Sequence, residues 1–203
     1  MDETARIKLA KKGDLEAFNQ LVLTHQQGVY NLALRFMGDE MLAADMAQQS
    51  FVSAYQNLHS FRGGNFRAWL YRIAANNCYD ELRRNKRRPT QPLTVIDNES
   101  GDEMEDPLWL ADDGPGPEDL FEKKELEAAI QRCINALPEN FRLTLVLVDI
   151  QEISYAEAAR IAKTPVGTIR SRLARARQQI QDCLQGFSEL LPAKYRLNIR
   201  SKP

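Results

Sequence analysis

The sequence predicts an all-α protein of two small helical domains joined by an acidic flexible linker, and three observations carry that prediction. Apolar residues recur at helical spacing over long stretches on both sides of the chain's middle. No segment shows the alternation of a strand, and there is no internal repeat. Charge is segregated in the order basic, acidic, basic, although the net charge is only -1. A length of 203 residues suits one large or two small domains, and 43% hydrophobic content is that of a chain with a buried core.

Asp14 is placed to cap a helix carrying Phe18, Leu21, Val22, Val29, Leu32, Ala33 and Phe36 at helical spacing. Gly38-Asp39 ends it. A second helix presents Ala44, Ala47, Phe51, Ala54, Tyr55 and Leu58, and "SFRGGNF" reads as a loop because two glycines interrupt the period. A third helix is expected from about Asn65 to Arg88, with Phe66, Trp69, Leu70, Ile73, Ala74 and Leu82 as its stripe, until Pro89 and Pro92 stop it. The stretch 93–117 is acidic, contains Pro107, Pro115 and Pro117, and has no sustained period, apart from the apolar Leu108, Trp109 and Leu110.

Helical spacing resumes near Pro117 through Leu126, Ile130, Ile134 and Leu137, and Pro138 opens a helix with Phe141, Leu145, Leu147 and Val148. Ser154-Tyr155-Ala156-Glu157 has the form of a capping box. Thr164 is then expected to cap another helix with Pro165 at its first position. A short helix, a brief break and a longer basic helix follow the grammar of a helix-turn-helix. The division expected is a helical domain over 1–92, a linker over 93–117, a second helical domain over 118–186 and an extension over 187–203 that the residues do not assign.

Several classes are disfavoured. No apolar run approaches the roughly 20 residues that span a bilayer, and the N-terminus lacks a signal-peptide core, so a cytoplasmic protein without membrane insertion is expected. Cys78, Cys133 and Cys183 are odd in number and far apart, and His25 and His59 stand alone, so buried thiols are expected and no metal site. No phosphate-cradling glycine loop or nucleophile elbow is present, so neither catalysis nor a cofactor is expected.

The charge blocks point to nucleic acid. In "TPVGTIRSRLARARQQI", Ile169, Leu173, Ala176 and Ile180 fall on one stripe, and Thr168, Ser171, Arg172 and Arg175 fall opposite. Arg170 and Arg177 flank that outer face, which carries no acid before Asp182. A solvated helix usually mixes signs, whereas this one suits the major groove, with arginine able to hydrogen-bond guanine and the flanking arginines near phosphates. In "FRAWLYRIAANNCYDELRRNKRR", aromatic residues interleave with arginines and with Asn76 and Asn77. That mixture fits unstacked bases better than closed duplex. Periodicity assigns Trp69, Leu70 and Ile73 to a core, while Tyr71, Asn76, Tyr79 and the cluster Arg83 to Arg88 fit a core less well. The loop Arg62 to Phe66 is a candidate holder of an extruded base.

These segments, with "MLAADMAQQSFVSAY", resemble the extracytoplasmic-function sigma factors of bacterial RNA polymerase, in the right order and over roughly residues 5–88 and 120–185. The resemblance implies a region 2 helical bundle and a region 4 helix-turn-helix. It implies a promoter-specificity subunit of the polymerase, directing transcription of a stress or envelope-response regulon, with promoter DNA, the β′ clamp and β flap of core RNA polymerase, and an anti-sigma factor as partners. By that resemblance Asp45, Gln48, Gln49 and Phe51 would dock on the polymerase clamp. Arg62, Asn65, Phe66, Trp69, Tyr71, Arg72, Asn76, Asn77, Tyr79, Arg83 and Arg84 would meet the minus-ten element. Arg142, Ser154, Thr168, Arg170, Ser171, Arg172, Arg175 and Arg177 would lie along the minus-thirty-five element. The chain departs from the family's pattern at Glu152 and in "AKTPVGT", both places where a turn glycine is common. Two other classes stay open on the residues alone: an autonomous regulator using the same helix-turn-helix, and a small enzyme or metal protein if the three cysteines converge.

Overall fold

A computed structural model describes residues 2–87 and 117–192. The expected linker up to residue 116, and the extension beyond 192, lie outside these residues. Among the described residues there are helices and turns and no strand.

The N-terminal unit contains α1 (Glu3–Ala10), α2 (Leu15–Met37), α3 (Glu40–Gln56) and α4 (Phe66–Arg87). The first of these was not foreseen: α1 buries only Ile7 and Ala10, too few positions to establish a period. It fastens His25, whose Nε2 lies 2.9 Å from Glu3 Oε2. The Asp14 carboxylate accepts a hydrogen bond from Ala17 N at 3.0 Å, as an N-cap should, and Gly38 ends α2 with φ 74°. Asp39 then caps α3 by accepting from Leu42 N at 2.8 Å. The buried face of α3 is Ala43, Met46, Ala47, Ser50 and Ala54, rotated from the expected stripe, which leaves Ala44 and Tyr55 exposed. The cause is composition: with alanines at 43, 44 and 47, the period cannot choose between adjacent faces.

The C-terminal unit contains α5 (Pro117–Ala136), α6 (Glu139–Leu145), α7 (Tyr155–Ile161) and α8 (Val166–Gln185), with a π-helical turn over Val146–Ile150 between α6 and α7. Ser154 Oγ accepts from Glu157 N at 3.3 Å and donates to Glu157 Oε2 at 2.8 Å, so the capping box closes through the hydroxyl. The second expected cap is corrected: Pro165 holds the cap position of α8, Val166 begins it, and no side chain caps it. Glu152 and Lys163, at the two places where glycine is common in the family, both hold left-handed backbone, with φ 52° and 50°.

Cys133 and Cys183 correct a further expectation, because they form a disulfide between α5 and α8, with their Cα atoms 5.7 Å apart. They lie 50 residues apart in sequence, a spacing that carries no pairing signal until the fold sets the helices side by side. Cys78 remains a buried free thiol.

The two units share one core. Leu143, Val146, Leu147, Ile153, Ala158, Ile161 and Ile169 belong to the same buried cluster as Leu32, Phe36, Leu70 and Ala74 of the N-terminal unit. A smaller cluster of Ile134, Leu137, Leu145, Leu173 and Ala176 holds the C-terminal unit to itself.

Candidate nucleic-acid interface

The loop before α4 is shaped by Gly63 and Gly64, whose φ values of 99° and 90° few other residues adopt. Asn65 closes it, its Oδ1 accepting from Ala68 N at 3.1 Å to cap α4. Phe61, Phe66 and Trp69 pack as an aromatic trio with centroids 5.4–5.5 Å apart. Lys11 lies above the Phe61 ring and donates to the Phe61 carbonyl. The result is a cleft of about 300 Å³ in which Arg62, Asn65, Trp69 and Arg72 converge. Half-buried Trp69 supplies an aromatic wall, and Arg62 and Arg72 supply exposed positive charge. Such a surface can hold an unstacked base and its phosphate.

The remaining expected members of this surface are placed elsewhere. Phe66 and Tyr71 are each 2% exposed. The Tyr71 hydroxyl donates to Gln151 Oε1 at 2.8 Å, and burial raises its pKa against the pull of Arg67. Tyr79 is half-buried edge-on to Phe36, 5.0 Å between centroids, and burial, with Glu139, likewise raises its pKa. The periodic reading failed to bury these two tyrosines because the surface that covers them belongs to distant residues. Asn76 is exposed, whereas Asn77 donates to Ser50 Oγ at 3.2 Å. Arg83 pairs with Asp80 at 3.6 Å, and Arg84 with the buried Glu81 at 3.1 Å.

On α8 the inward stripe is as expected: Ile169, Leu173 and Ala176 are buried and Ile180 is partly so. Ser171 and Arg175 are exposed on the outer face, Thr168 is half-buried, and Ser171 Oγ donates to Thr168 O at 3.0 Å. Arg170 is exposed, with its guanidinium 5.9 Å from the Tyr155 ring centre. Half-buried Arg172 lies near enough to Tyr79 to favour the phenolate electrostatically. Arg177 forms a bidentate pair with Asp149, at 2.9 and 2.6 Å, which strengthens its hold on its proton; a phosphate would have to compete with that carboxylate. Ser154 is exposed at the start of α7. Arg142 is half-buried and turned to the backbone: its guanidinium donates to Phe36 O, Asn135 O and Leu137 O, at 2.7, 2.5 and 3.2 Å, and burial lowers its pKa. It satisfies carbonyls left open at helix ends.

The two units meet across polar bridges. Asn65 Nδ2 donates to Glu157 Oε1 at 2.7 Å, Lys86 pairs with Glu139 at 2.5 Å, and Arg35 donates to Gln131 Oε1 at 2.9 Å. Burial pushes the Glu157 carboxyl up, but its hydrogen bonds from Ser154 and Asn65, helped by Arg160, outweigh that and leave its pKa lowered. Glu157, Arg160 and Ile161 of α7 complete the wall of the cleft around Trp69.

A third surface lies between α2 and α3. Leu15, Phe18, Val22, Phe51, Val52 and Tyr55 line an apolar groove of about 420 Å³ with Gln48 at its edge. Leu15 is 59% exposed and Val52 52%. Asp45 and Gln49 are exposed nearby on α3. The sequence reading named Phe51 and Gln48 here, placed Val22 in the core stripe of α2, and did not name Leu15 or Val52, whose apolar side chains stand beside the core stripes of α2 and α3.

The Sigma-70 region 2 family matches residues 21–88, and the Sigma-70 region 4 family matches 127–180. The RNA polymerase sigma-H factor of Pseudomonas aeruginosa is 38% identical over 183 residues, covering 88% of this chain and 92% of its own length. The ECF RNA polymerase sigma-E factor of Escherichia coli is 38% identical over 182 residues, with coverage of 88% and 92%. This chain belongs to the extracytoplasmic-function sigma factors. As a sigma factor, it serves promoter-directed initiation of transcription. Region 2 takes in most of α2 and all of α3 and α4; region 4 starts midway along α5 and runs into α8. The structure of CnrH in complex with the cytosolic domain of CnrY is similar to it, with a TM-score of 0.65 and 25% identity, covering 90% of this chain and 96% of that one. The sigma factor RpoE in complex with the anti-sigma factor NepR, from Bartonella quintana, shares the fold, with a TM-score of 0.62 at 24% identity over 84% of this chain and 98% of that one. No described helix of this sigma factor is long and apolar enough to cross a membrane.

Proposed function

We propose that this sigma factor binds core RNA polymerase in the cytoplasm and reads two promoter elements, one with each unit, without catalysing a reaction itself. The observation that carries the reading is the pairing of an aromatic and cationic cleft, at Arg62, Asn65, Trp69 and Arg72, with an α8 whose exposed face is basic. The cleft takes the melted strand of the minus-ten element, and Ser171, Arg172 and Arg175 take bases of the minus-thirty-five duplex, with Arg170 on a phosphate. The groove between α2 and α3 takes the β′ clamp, with Phe51 in its lining, Gln48 at its edge and Asp45 and Gln49 beside it. The β flap belongs to region 4, the stretch 93–117 serves as the tether, and an anti-sigma factor acts as the regulatory partner, as the names of the related complexes support. A stress or envelope-response regulon follows from the sigma-E and sigma-H relatives.

Reading both elements requires the units to separate. Two elements about two helical turns apart lie roughly 70 Å apart, and a tether of about 25 residues reaches roughly 80 Å. The bridges from Asn65 to Glu157 and from Tyr71 to Gln151 hold the units far closer than that. Transcription with core polymerase over a promoter library is the direct test. The wild type should select a two-element promoter, and Arg175→Ala should lose about 2 kcal/mol of preference at the upstream element with polymerase binding unchanged. Absence of polymerase binding and of promoter-dependent transcripts would overturn the assignment.

A further inference from the structure

The disulfide between Cys133 and Cys183 lies where α8 leaves the core. Ala176 is the last fully buried residue of α8, and Ile180, Cys183 and Leu184 are only partly covered. The Arg177–Asp149 pair, the Arg132 guanidinium over the Phe187 ring and the disulfide fasten this end. Between α5 and α8 opens an apolar cleft of about 480 Å³, lined among others by Leu126, Ile130, Ile180, Leu184 and Leu191. One side of this cleft is α5 and the other α8, so the covalent link fixes their separation along it.

We propose that Cys133–Cys183 is a thiol–disulfide exchange site through which the C-terminal end of region 4 responds to the cellular thiol pool. The co-reactant is a small thiol of the glutathione class and its disulfide. The inference rests on the cytoplasmic placement proposed above, because a disulfide in a reducing compartment is in exchange rather than permanent. Access is one-sided: Cys133 is 1% exposed, and Cys183 is the partly exposed member. A thiolate of the pool attacks Cys183 Sγ, forming a mixed disulfide while the Cys133–Cys183 bond breaks and its electron pair leaves on Cys133 as thiolate. A second pool thiolate attacks the mixed disulfide, releasing Cys183 as thiolate and the pool disulfide. The two protein thiolates then take up two protons. The reverse sequence restores the crosslink. Cys78 takes no part: it lies wholly buried in the region 2 core, where burial pushes its thiol up to about 12.

Reduction leaves the core of Ile134, Leu137, Leu145, Leu173 and Ala176 in place and frees the part of α8 beyond it. The test equilibrates the full chain with glutathione mixtures from fully oxidised to fully reduced, quenches with acid, and counts alkylated thiols by mass after unfolding. The count should rise from Cys78 alone to all three cysteines within that range. Across the same transition, backbone amides from 180 to 191 should exchange roughly tenfold faster, while those in the core of α2 and α4 should not change. Cys78→Ala should keep the transition, and the double variant Cys133→Ser, Cys183→Ser should show fast exchange in every mixture. Three alkylated thiols in every mixture, a single one in every mixture, or unchanged amide exchange across the transition would each overturn the proposal. None of these readouts involves promoters or polymerase, so failure here would leave the sigma-factor function standing.

Discussion

Lys163 and Glu152 hold left-handed backbone that costs a residue with a Cβ about 1–2 kcal/mol. Lys163→Gly is therefore expected to stabilise the protein by about 1 kcal/mol in urea unfolding, with the slope unchanged. Glu152→Gly should behave alike. Both positions were legible in the sequence as departures from a turn glycine, but their backbone angles were not: the turns keep their shape and the residues take the strain. Glu157 is the residue at which acid should act. Its carboxyl titrates below 4.5, its ordinary value, so its contribution is fully present above that value and is lost as pH falls through the lower folded value. Denaturant unfolding compared between neutral pH and pH 4 and below should show Glu157→Gln losing less than the wild type, by up to about 1 kcal/mol, the size of a cap. The sequence identified Glu157 as a partner of Ser154; its second bond, to Asn65, joins residues 92 apart and no local pattern could show it.

Helices were read from the sequence where their apolar stripes were long and distinct. α2, α4 and α8 came out with their inward faces correct at Leu32, Leu70 and Ile169, because large residues recur there without competitors. α3 came out rotated, since its contact face is built mostly from alanines, with one methionine and a serine, and α1 was too short to declare a period. Small residues carry information of another kind, as Gly28 shows. A Cβ at Gly28 would sit 2.3 Å from the Tyr71 hydroxyl, so α4 approaches α2 through a gap that only glycine leaves. Gly28→Ala should therefore destabilise the wild type by about 1–3 kcal/mol through overpacking and loss of the Tyr71–Gln151 bond. In a Tyr71→Phe background the same change should be neutral or gain up to about 1 kcal/mol, as alanine does in an unobstructed helix. A double-mutant cycle in thermal unfolding reads this coupling.

The arrangement of the whole molecule was the least legible level. Charge order and helix periods revealed two units, yet the surfaces by which they close include, beside the shared apolar core, Tyr71, Tyr79, Gln151 and Glu157, polar or amphipathic residues whose cover depends on a partner far along the chain. Aromatic residues that suit stacking on bases also suit packing on protein, which is why the sequence assigned Tyr71 and Tyr79 to DNA and the closed fold covers them. Shortening Gln151 to alanine should shift the population toward separated units, seen as a larger radius in small-angle scattering and a steeper response to core polymerase. The cleft wall also provides an optical readout of this motion. Trp69 stands in the cleft opposite Glu157, Arg160 and Ile161, so when region 4 withdraws, water replaces one side of its indole's surroundings. In a Trp109→Phe background, Trp69 is the one remaining indole in the chain, and its emission should move to the red as the units part. The protein thus carries its own gauge of opening, usable in stopped flow against polymerase or promoter strand without attaching a dye.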